Sequence, residues 1–519
     1  MPTAASWTER PTSRSGRREG VGTAVVDLVT LLRFRARTAR RGRARGAIAA
    51  FVVLTLAVAT VPAWTPHAGS GDRAFNLLLL LPTGMAGVVL LAVTSAVASG
   101  GGRELMPRDP GQIFPIGSTT DHLGALVLTP LNIAWLLQAW VLLGSAAYAV
   151  GHRSLGTLAG LQLGLGLWLV VATAIGQFAA WTIEGIRRTA HGVPIVRMLT
   201  VLVIATAIAM QTADLLVDAL DAAPTSPVLI GLLDAPGPRW WTTVLLLALA
   251  AVAIVALGAV PARWAGRRLP VDEVELETGH RRPRGLARSP WAALVRTDRA
   301  SVWRAVPMRR GLLVLAVGPG LVAVLGDLRW DSLTLLPGLV VSGGALLFGV
   351  NAWCLDGRGG RWRESLPVEP GLVFDARAWV LAEFLLSASA LTVLIAGLRA
   401  GVPTPAEFTA MLASVLVIAL QVVAASMRWS ILHPYAADLR SARATPAPPL
   451  AMVGYSARLA ASTTVTGLVF SGLARADDWR VPALLAVPFL CWSAARLLRA
   501  RRRWSDAERR ADVVLTVTA

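Results

Sequence analysis

Lysine is absent from this chain, so all 50 of its basic residues are arginines. The common phosphate-binding loop needs a lysine after its glycines to reach the terminal phosphates of a nucleotide. The chain cannot supply that residue. We therefore expect that it does not hydrolyse ATP by itself.

Patterns for metal binding, disulfide bonding and catalysis are also missing. The two cysteines, Cys354 and Cys491, have no partner at a disulfide or zinc spacing. The six histidines form no HExxH pair. The only adjacent acidic pair in a predicted outer connector, Asp477-Asp478, is typical of solvated surface. We expect no catalytic, metal-binding or cofactor-binding residue in this chain.

Charged residues are few and apolar residues are many. Charged residues make up 16% of the chain and hydrophobic residues 55%, with a mean hydropathy of +0.58. This is more apolar surface than one soluble core can bury, so we expect the lipid bilayer to solvate much of it. The net charge of +19 does not indicate a nucleic-acid partner, because such proteins normally mix lysine and arginine on one exposed face.

About twelve apolar stretches approach the length needed to cross a hydrocarbon layer of roughly 30 Å. The sequence therefore predicts an all-α, polytopic integral membrane protein with two six-span halves. The expected spans cover residues 47–64, 76–99, 123–150, 155–183, 193–217, 240–260, 311–328, 333–353, 379–398, 408–427, 450–473 and 481–498.

Arginines alternate between rich and poor connectors. The rich ones are the N-terminal segment, the connectors near Arg103, Arg187, Arg296, Arg363 and Arg440, and the tail after residue 498. The long connector 214–238 has several aspartates and no arginine. Because basic connectors stay cytoplasmic during insertion, we expect both termini in the cytoplasm and the chain in the cell membrane.

These features divide the chain into five segments. We expect a cytoplasmic arginine-rich tail with an interfacial helix, a first transmembrane half, a cytoplasmic linker with a second interfacial helix, a second transmembrane half, and a second arginine-rich tail. The corresponding residues are 1–45, 46–262, 263–310, 311–498 and 499–519.

Each half opens with an amphipathic segment, at 25–41 and at 290–304. Both predict helices in the cytoplasmic interface, with apolar side chains facing the acyl region. The alternative is a soluble tail beside the membrane. The residues expected to face lipid are Val26, Leu28, Leu32, Trp291, Leu294 and Trp303.

A loop after the second span of each half repeats a second pattern. Residues 99–124 and 351–379 both pass from glycines through an Arg/Glu cluster to an apolar-Pro-apolar triplet. Proline blocks helix continuation and makes a stiff corner. One such loop favours a simple turn, and two at equivalent positions favour docking of a partner.

Ionisable residues within the predicted spans are scarce. Arg197, Glu383 and Arg458 lie near the inner boundary, where their side chains reach water or a partner. Neutral polar residues such as Gln162, Gln177 and Gln421 are typical of interhelical hydrogen bonds. This pattern disfavours a carrier coupled to protons or ions.

The two interfacial helices, the loops RELMPRDPGQIFPIG and LDGRGGRWRESLPVEP, and the span layout together resemble the permease subunit of a type-2 ATP-binding-cassette exporter in a fused two-half form. In that family a helix in each of these loops docks on a separate ATPase, which binds the ATP. The resemblance implies coupling roles for Arg103, Glu104, Phe114, Pro115, Asp121, Asp356, Arg363, Glu364, Leu366, Pro367, Asp375 and Arg377.

The first loop has no counterpart to Leu355-Asp356-Gly357, so the two ATPase contacts are expected to be unequal. The resemblance implies alternating access, in which closure of the ATPase pair moves the two halves and carries a substrate across the membrane. The alternatives are a twelve-span secondary carrier and a membrane-embedded transferase or assembly scaffold.

Overall fold

The computed structural model describes residues 21–38, 41–99, 117–131, 133–152, 154–213, 215–268, 285, 287–436 and 446–518. These residues are overwhelmingly helical, and no strand occurs among them. The predicted fold class, an all-α polytopic membrane protein, is confirmed.

The first half contributes ten described helices. They are α1 (Val21–Thr38), α2 (Arg41–Thr60), α3 (Asp72–Ser99), α4 (Ser118–Leu128), α5 (Ile133–Val150), α6 (Leu155–Arg187), α7 (Gly192–Thr212), α8 (Leu215–Asp221), α9 (Thr225–Leu233) and α10 (Pro238–Gly266). Helix α6 lies at the centre and packs against α3, α5 and α10.

The second half contributes ten more. They are α11 (Pro290–Arg304), α12 (Val306–Leu325), α13 (Trp330–Leu333), α14 (Leu336–Leu347), α15 (Gly360–Glu364), α16 (Pro370–Ala400), α17 (Pro405–Leu432), α18 (Pro449–Leu473), α19 (Arg480–Ser505) and α20 (Ala507–Val517). Two 3-10 segments, Gly349–Leu355 and Gly357–Gly359, join α14 to α15.

Local sequence explains where these helices begin. Several start at a proline, including α10, α11, α16 and α17. Proline is tolerated there because the first helical N–H has no intrahelical acceptor. Ser154 and Ser289 cap α6 and α11 through their hydroxyls, and Thr404 with Glu407 forms a capping box on α17.

Seven of the described helical stretches are long and apolar enough to cross a bilayer. An eighth is added if α11 and residues 308–324, which meet at a bend of 83°, count as one broken span. The seven are Asp72–Thr94, Leu155–Arg187, Pro238–Gly266, Trp330–Leu355, Pro370–Ala400, Pro405–Leu432 and Arg480–Ser505.

The expected count of about twelve is therefore too high for the described residues, although a helix occupies each of the twelve predicted positions. Near the first, third and fifth, the apolar helical stretches that lie wholly within the described side chains are Val52–Trp64, Gln138–Val150 and Gly192–Val203. The third is also broken between α4 and α5, where Pro130 lies. Helix α18 is long enough to cross a bilayer. Because it carries Arg458 and a Ser/Thr cluster, it is less apolar than the seven stretches above.

Two large apolar clusters form the core, one in each half. The first-half cluster joins α3, α5, α6 and α10, with Leu161, Leu165 and Leu232 fully buried. The second-half cluster joins α11, α14, α16, α17 and the chain end, with Phe348 and Val380 fully buried. Each half thus buries its own apolar interior.

The amphipathic segments form helices, but their apolar faces are shared between protein and surroundings. Leu28 of α1 is buried against Leu128 of α4, and Leu294 of α11 is buried in the second-half core. Val26 and Trp303 are exposed, at 63% and 52%. The prediction that all six apolar residues face lipid is therefore wrong for Leu28 and Leu294, because the neighbouring helix covers them.

Candidate functional site

Four charged side chains converge in the second half on the side rich in arginine. The guanidinium of Arg377 donates from Nε to Oδ2 of Asp298 at 2.9 Å and from Nη2 to Oδ1 of Asp356 at 2.7 Å. Nη1 of Arg363 donates to Oδ1 of Asp298 and to Oδ1 of Asp356, both at 2.8 Å. We call Asp298, Asp356, Arg363 and Arg377 the ion cluster.

The ion cluster is charge-balanced and largely buried. The side chains of Asp298 and Arg377 are 0% exposed, and those of Arg363 and Asp356 are 12% and 16% exposed. Burial by itself would raise the pKa of the Asp298 carboxyl, but Arg377 and Arg363 outweigh burial and hold this pKa below its usual value. The carboxylate therefore stays ionised, and the cluster fixes geometry without serving as a proton donor.

The three segments that meet here are distant in sequence. Asp298 lies on the buried face of α11 beside Leu294 and Val302. Asp356 follows the 3-10 turn, where the next residue, Gly357, has a φ of +48° that favours glycine. Arg377 lies two turns inside α16. The cluster therefore ties the linker helix α11 and the loop before α16 to α16 itself.

An aromatic pair supports the cluster. Trp353 stacks on Trp504 of α19, with ring centroids 3.6 Å apart and planes 4° from parallel. The guanidinium carbon of Arg377 lies 5.3 Å from the Trp353 ring. Stacking and cation–π contact both favour this placement, so the end of α19 is held against the same loop.

The C-terminal helix α20 covers one side of the loop. Asp506 caps α20 by accepting from the backbone N–H groups of Glu508 and Arg509, and Arg510 then pairs with Glu364. Arg361 donates to the hydroxyl of Thr518 at 3.0 Å. Gly360 permits this approach, because a Cβ there would lie 3.1 Å from Cγ2 of Thr518.

A cavity of about 360 Å³ lies between this loop and α20. Leu366 and Val368 lie on one wall, and Val514 and Val517 lie on the other. Arg363 also lines the cavity, and its Nε and Nη2 atoms have no hydrogen-bond partner among the described residues. The cavity thus combines apolar side chains with charged ones, including Glu364, Glu369 and Arg510.

The same loop also presents an exposed face. Trp362 is 69% exposed, and Pro367 is also exposed. Because the segment is fixed by buried ion pairs, this exposed tryptophan is available to a partner in a fixed position. We call Trp362, Leu366 and Pro367 the loop face.

The predicted coupling residues of the second half do lie together. Asp356, Arg363 and Arg377 belong to the ion cluster, and Leu366 and Pro367 to the loop face. Glu364 pairs with Arg510, and both oxygens of Asp375 accept from Nε of Arg501 at 2.9 Å. Sequence reasoning treated them as members of one loop, whereas several hold neighbouring helices in place.

The first-half residues are less completely described. Arg103, Glu104, Phe114 and Pro115 lie outside the described residues. Asp121 lies in the first turn of α4. Its neighbour His122 is buried and makes a 3.1 Å hydrogen bond from Nε2 to the carbonyl oxygen of Val255 in α10.

Four important residues were missed by sequence reasoning: Asp298, Trp362, Trp504 and Arg510. A signal for Asp298 was present, because it follows Leu294 by four residues and precedes Val302 by four, which places a charge on an apolar helix face. The other three residues carried no such pattern. Their roles depend on where α15 and α20 meet.

No family model, curated protein or solved structure matches the chain. Among the described residues, no group of three or more His, Cys, Asp or Glu is arranged to hold a metal ion.

Proposed function

We propose that this chain is the transmembrane subunit of an ATP-binding-cassette exporter, driven by a separate ATPase subunit that docks on the cytoplasmic loops. The observation that carries the proposal is the ion cluster, which fixes the loop 356–369 to α16. A loop fixed in this way moves together with its transmembrane helix. That is the mechanical property that transmission of a partner's motion requires.

The route for the motion is short. The loop ends at Glu369, and α16 begins at Pro370 without an intervening flexible segment. Arg377 joins α16 to both Asp298 and Asp356, so α11, the loop and α16 respond as one unit. Arg501, which pairs with Asp375, extends the connection to α19. Displacement of the loop would therefore tilt or shift at least two long helices.

The loop face supplies the contacts of a docking site. Trp362 offers a large apolar anchor, a residue type enriched among those that dominate binding energy. Leu366 lines the adjacent cavity, and the two free donors of Arg363 suit a carboxylate or carbonyl oxygen of the partner. A small interface with one aromatic anchor and one buried arginine accounts for these features together.

The arrangement in the membrane belongs to the same proposal. We place both termini and the loop face in the cytoplasm, because the arginine-rich connectors lie on this side. A reporter fused after Ala519 should indicate cytoplasm, and one inserted near Pro224 should indicate the exterior. Exterior labelling at Ala519 would contradict the orientation and, with it, the docking side.

The decisive experiment compares two exposed tryptophans. The tagged chain is purified from membranes of its own host as wild type, Trp362→Ala, Leu366→Ala and the control Trp241→Ala. Trp241 is 62% exposed and lies at the arginine-poor end of α10. It therefore resembles Trp362 in exposure but lies on the opposite side of the membrane in the proposed arrangement. ATP hydrolysis in each preparation is measured with and without vanadate.

We expect vanadate-sensitive ATP hydrolysis to accompany the wild type and Trp241→Ala. Loss of one anchor typically costs more than 1 kcal/mol of binding free energy, so recovery of this activity with Trp362→Ala should fall about five- to tenfold or more. Equal recovery with all variants, or transport by the purified chain without any ATPase, would overturn the proposal and favour the secondary carrier.

A further inference from the structure

A second cavity, of about 260 Å³, lies among α17, α18 and α19. Three arginines line it: Arg428 of α17, Arg458 of α18 and Arg496 of α19. No carboxylate is among its lining residues. None of the three arginines forms an ion pair with any described residue. This distinguishes the cavity from the ion cluster, where every charge has a partner of opposite sign.

The three arginines give the cavity a net positive charge. Arg428 and Arg458 are exposed and Arg496 is partly buried, and the positive charges of Arg428 and Arg499 both act on Arg496. The guanidinium carbon of Arg458 lies 5.5 Å from the ring of Trp429, which holds it over an aromatic face. Solvent screens part of the repulsion between these charges, and a ligand bearing negative charge would remove the rest.

The position of the arginines along their helices indicates which class of anion the cavity would bind. Arg428 lies one turn before the end of α17 at Leu432, and Arg458 and Arg496 lie about two and a half turns inside α18 and α19. These helix ends face the arginine-rich side of the chain. Basic pockets between helices at this level are suited to lipid headgroups of the cytoplasmic leaflet.

The surroundings favour a lipid over free phosphate. Val465 lies seven residues beyond Arg458, on the same face of α18, and is 62% exposed. Trp492 lies four residues before Arg496 on α19, about one turn closer to the arginine-poor side, and is also 62% exposed. Open apolar side chains thus continue from the arginines towards the arginine-poor side. Acyl chains would lie along them while the headgroup occupies the cavity.

We infer that Arg428, Arg458 and Arg496 form a site for the phosphate-bearing headgroup of an anionic phospholipid in the cytoplasmic leaflet. The cavity volume suits a headgroup better than a whole drug-sized molecule, since ligand pockets commonly exceed about 300 Å³. This site is independent of the loop face. It requires no assumption about the ATPase.

The test measures lipid binding to the purified full-length chain in detergent by native mass spectrometry. The probes are phosphatidylglycerol, phosphatidylcholine and inorganic phosphate. The variant is Arg458→Gln with Arg496→Gln. The matched control is Arg502→Gln with Arg503→Gln, which removes the same charge from exposed positions at the cytoplasmic end of α19.

We expect wild type and control to bind phosphatidylglycerol alike and in preference to phosphatidylcholine. Each arginine contributes roughly fivefold to affinity for an anionic surface, so the variant should bind about 25-fold more weakly. Equal weakening in variant and control would overturn the site, because general surface charge would then explain the binding. Displacement of the lipid by millimolar phosphate would overturn the lipid as ligand, and equal binding of phosphatidylcholine would overturn the need for an anion.

Misfolding is separated from loss of binding by the melting temperature of lipid-stripped protein. Removal of like charges should leave that temperature unchanged or raise it. The single variant Arg428→Gln provides a second reading, since Arg428 is exposed and its loss should weaken binding about fivefold. Unchanged binding in this variant, together with unchanged binding in the double variant, would overturn the proposal.

Discussion

The two halves hold equivalent helices together by different means. In both, an amphipathic helix packs on the helix that follows the second-span loop: α1 on α4, and α11 on α16. In the first half, the hydroxyl of Thr120 donates to the carbonyl oxygen of Ala24, at 3.5 Å, and Leu28 packs on Leu128. In the second half, Asp298 and Arg377 form a fully buried ion pair.

The charged residues of the first half pair differently. Glu184 accepts from Arg187, the last residue of α6, and from Arg188, which follows it. Arg188 and Arg268 then donate to backbone carbonyls across α6 and α10. These contacts fasten two neighbouring spans. Among the described residues, the rigid loop connection is the one in the second half.

The sequence predicts that the two partner contacts are unequal. The second loop contains Asp356, which completes the ion cluster, and the first loop has no counterpart in sequence. Residues 100–116 of the first loop lie outside the described residues, so this inequality stays a prediction. A loop held by buried ion pairs moves together with the helix to which it is tied.

Arg377→Leu should be the most damaging single change. It leaves two carboxylates sharing Arg363, with Asp298 fully buried, and such uncompensated buried charge costs about 3–5 kcal/mol. Arg188→Leu in the first half should cost less, about 1–2 kcal/mol, because Glu184 keeps Arg187 as its partner. Melting temperatures of the two purified variants measure the difference. Equal decreases in melting temperature would show that Arg377 and Arg188 contribute equally to stability.

Acidification should act on the second half through Asp298. Its pKa is lowered in the folded protein, so its contribution to stability is present above about pH 4, the ordinary aspartate value, and is lost as the pH falls through the lowered pKa. Asp298→Asn removes this contribution at every pH. The melting temperature of wild type should therefore fall more steeply below about pH 4 than that of the variant. Parallel curves would exclude Asp298 as the group responsible.

Gly160→Ala should disturb the close helix packing of the first half. A Cβ at Gly160 would lie 2.4 Å from Cβ of Ala235 and 3.2 Å from Nε1 of Trp240. Overpacking of this kind costs about 1–3 kcal/mol. Gly166→Ala in the same helix is the control, since nothing lies within 4 Å of a Cβ there. If both variants melt alike, close packing at Gly160 does not limit stability.

Arg299→Gln should have the smallest effect. Arg299 and Glu383 join the same two helices as Asp298 and Arg377, but their side chains are 46% and 37% exposed. Exposed pairs contribute about 0–1 kcal/mol, so the melting temperature should change little. A loss comparable to that of Arg377→Leu would mean that burial is not what makes the ion cluster strong.

The sequence predicted correctly those structural features that depend on a short stretch of chain. The 290–304 segment was bounded correctly as a helix, since Ser289 and Pro290 mark its start. One loop contains Asp356, Arg363, Leu366 and Pro367, whereas their coupling role stays a prediction. Among the described residues, fewer than twelve helices are long and apolar enough to cross a bilayer. Apolar length by itself does not reveal the 3-10 turn at Pro130 or the polar character of α18.

Composition and arginine placement by themselves determined that this chain is an all-α membrane protein, because transfer of apolar surface to lipid is a summed property of residues. The fold adds that Asp298 meets Arg377, that α20 covers the loop, and that three arginines from three helices line one cavity with no carboxylate among its described lining residues. Asp298 and Arg377 are 79 positions apart in sequence. No local pattern in the sequence encodes which residues at such a separation meet.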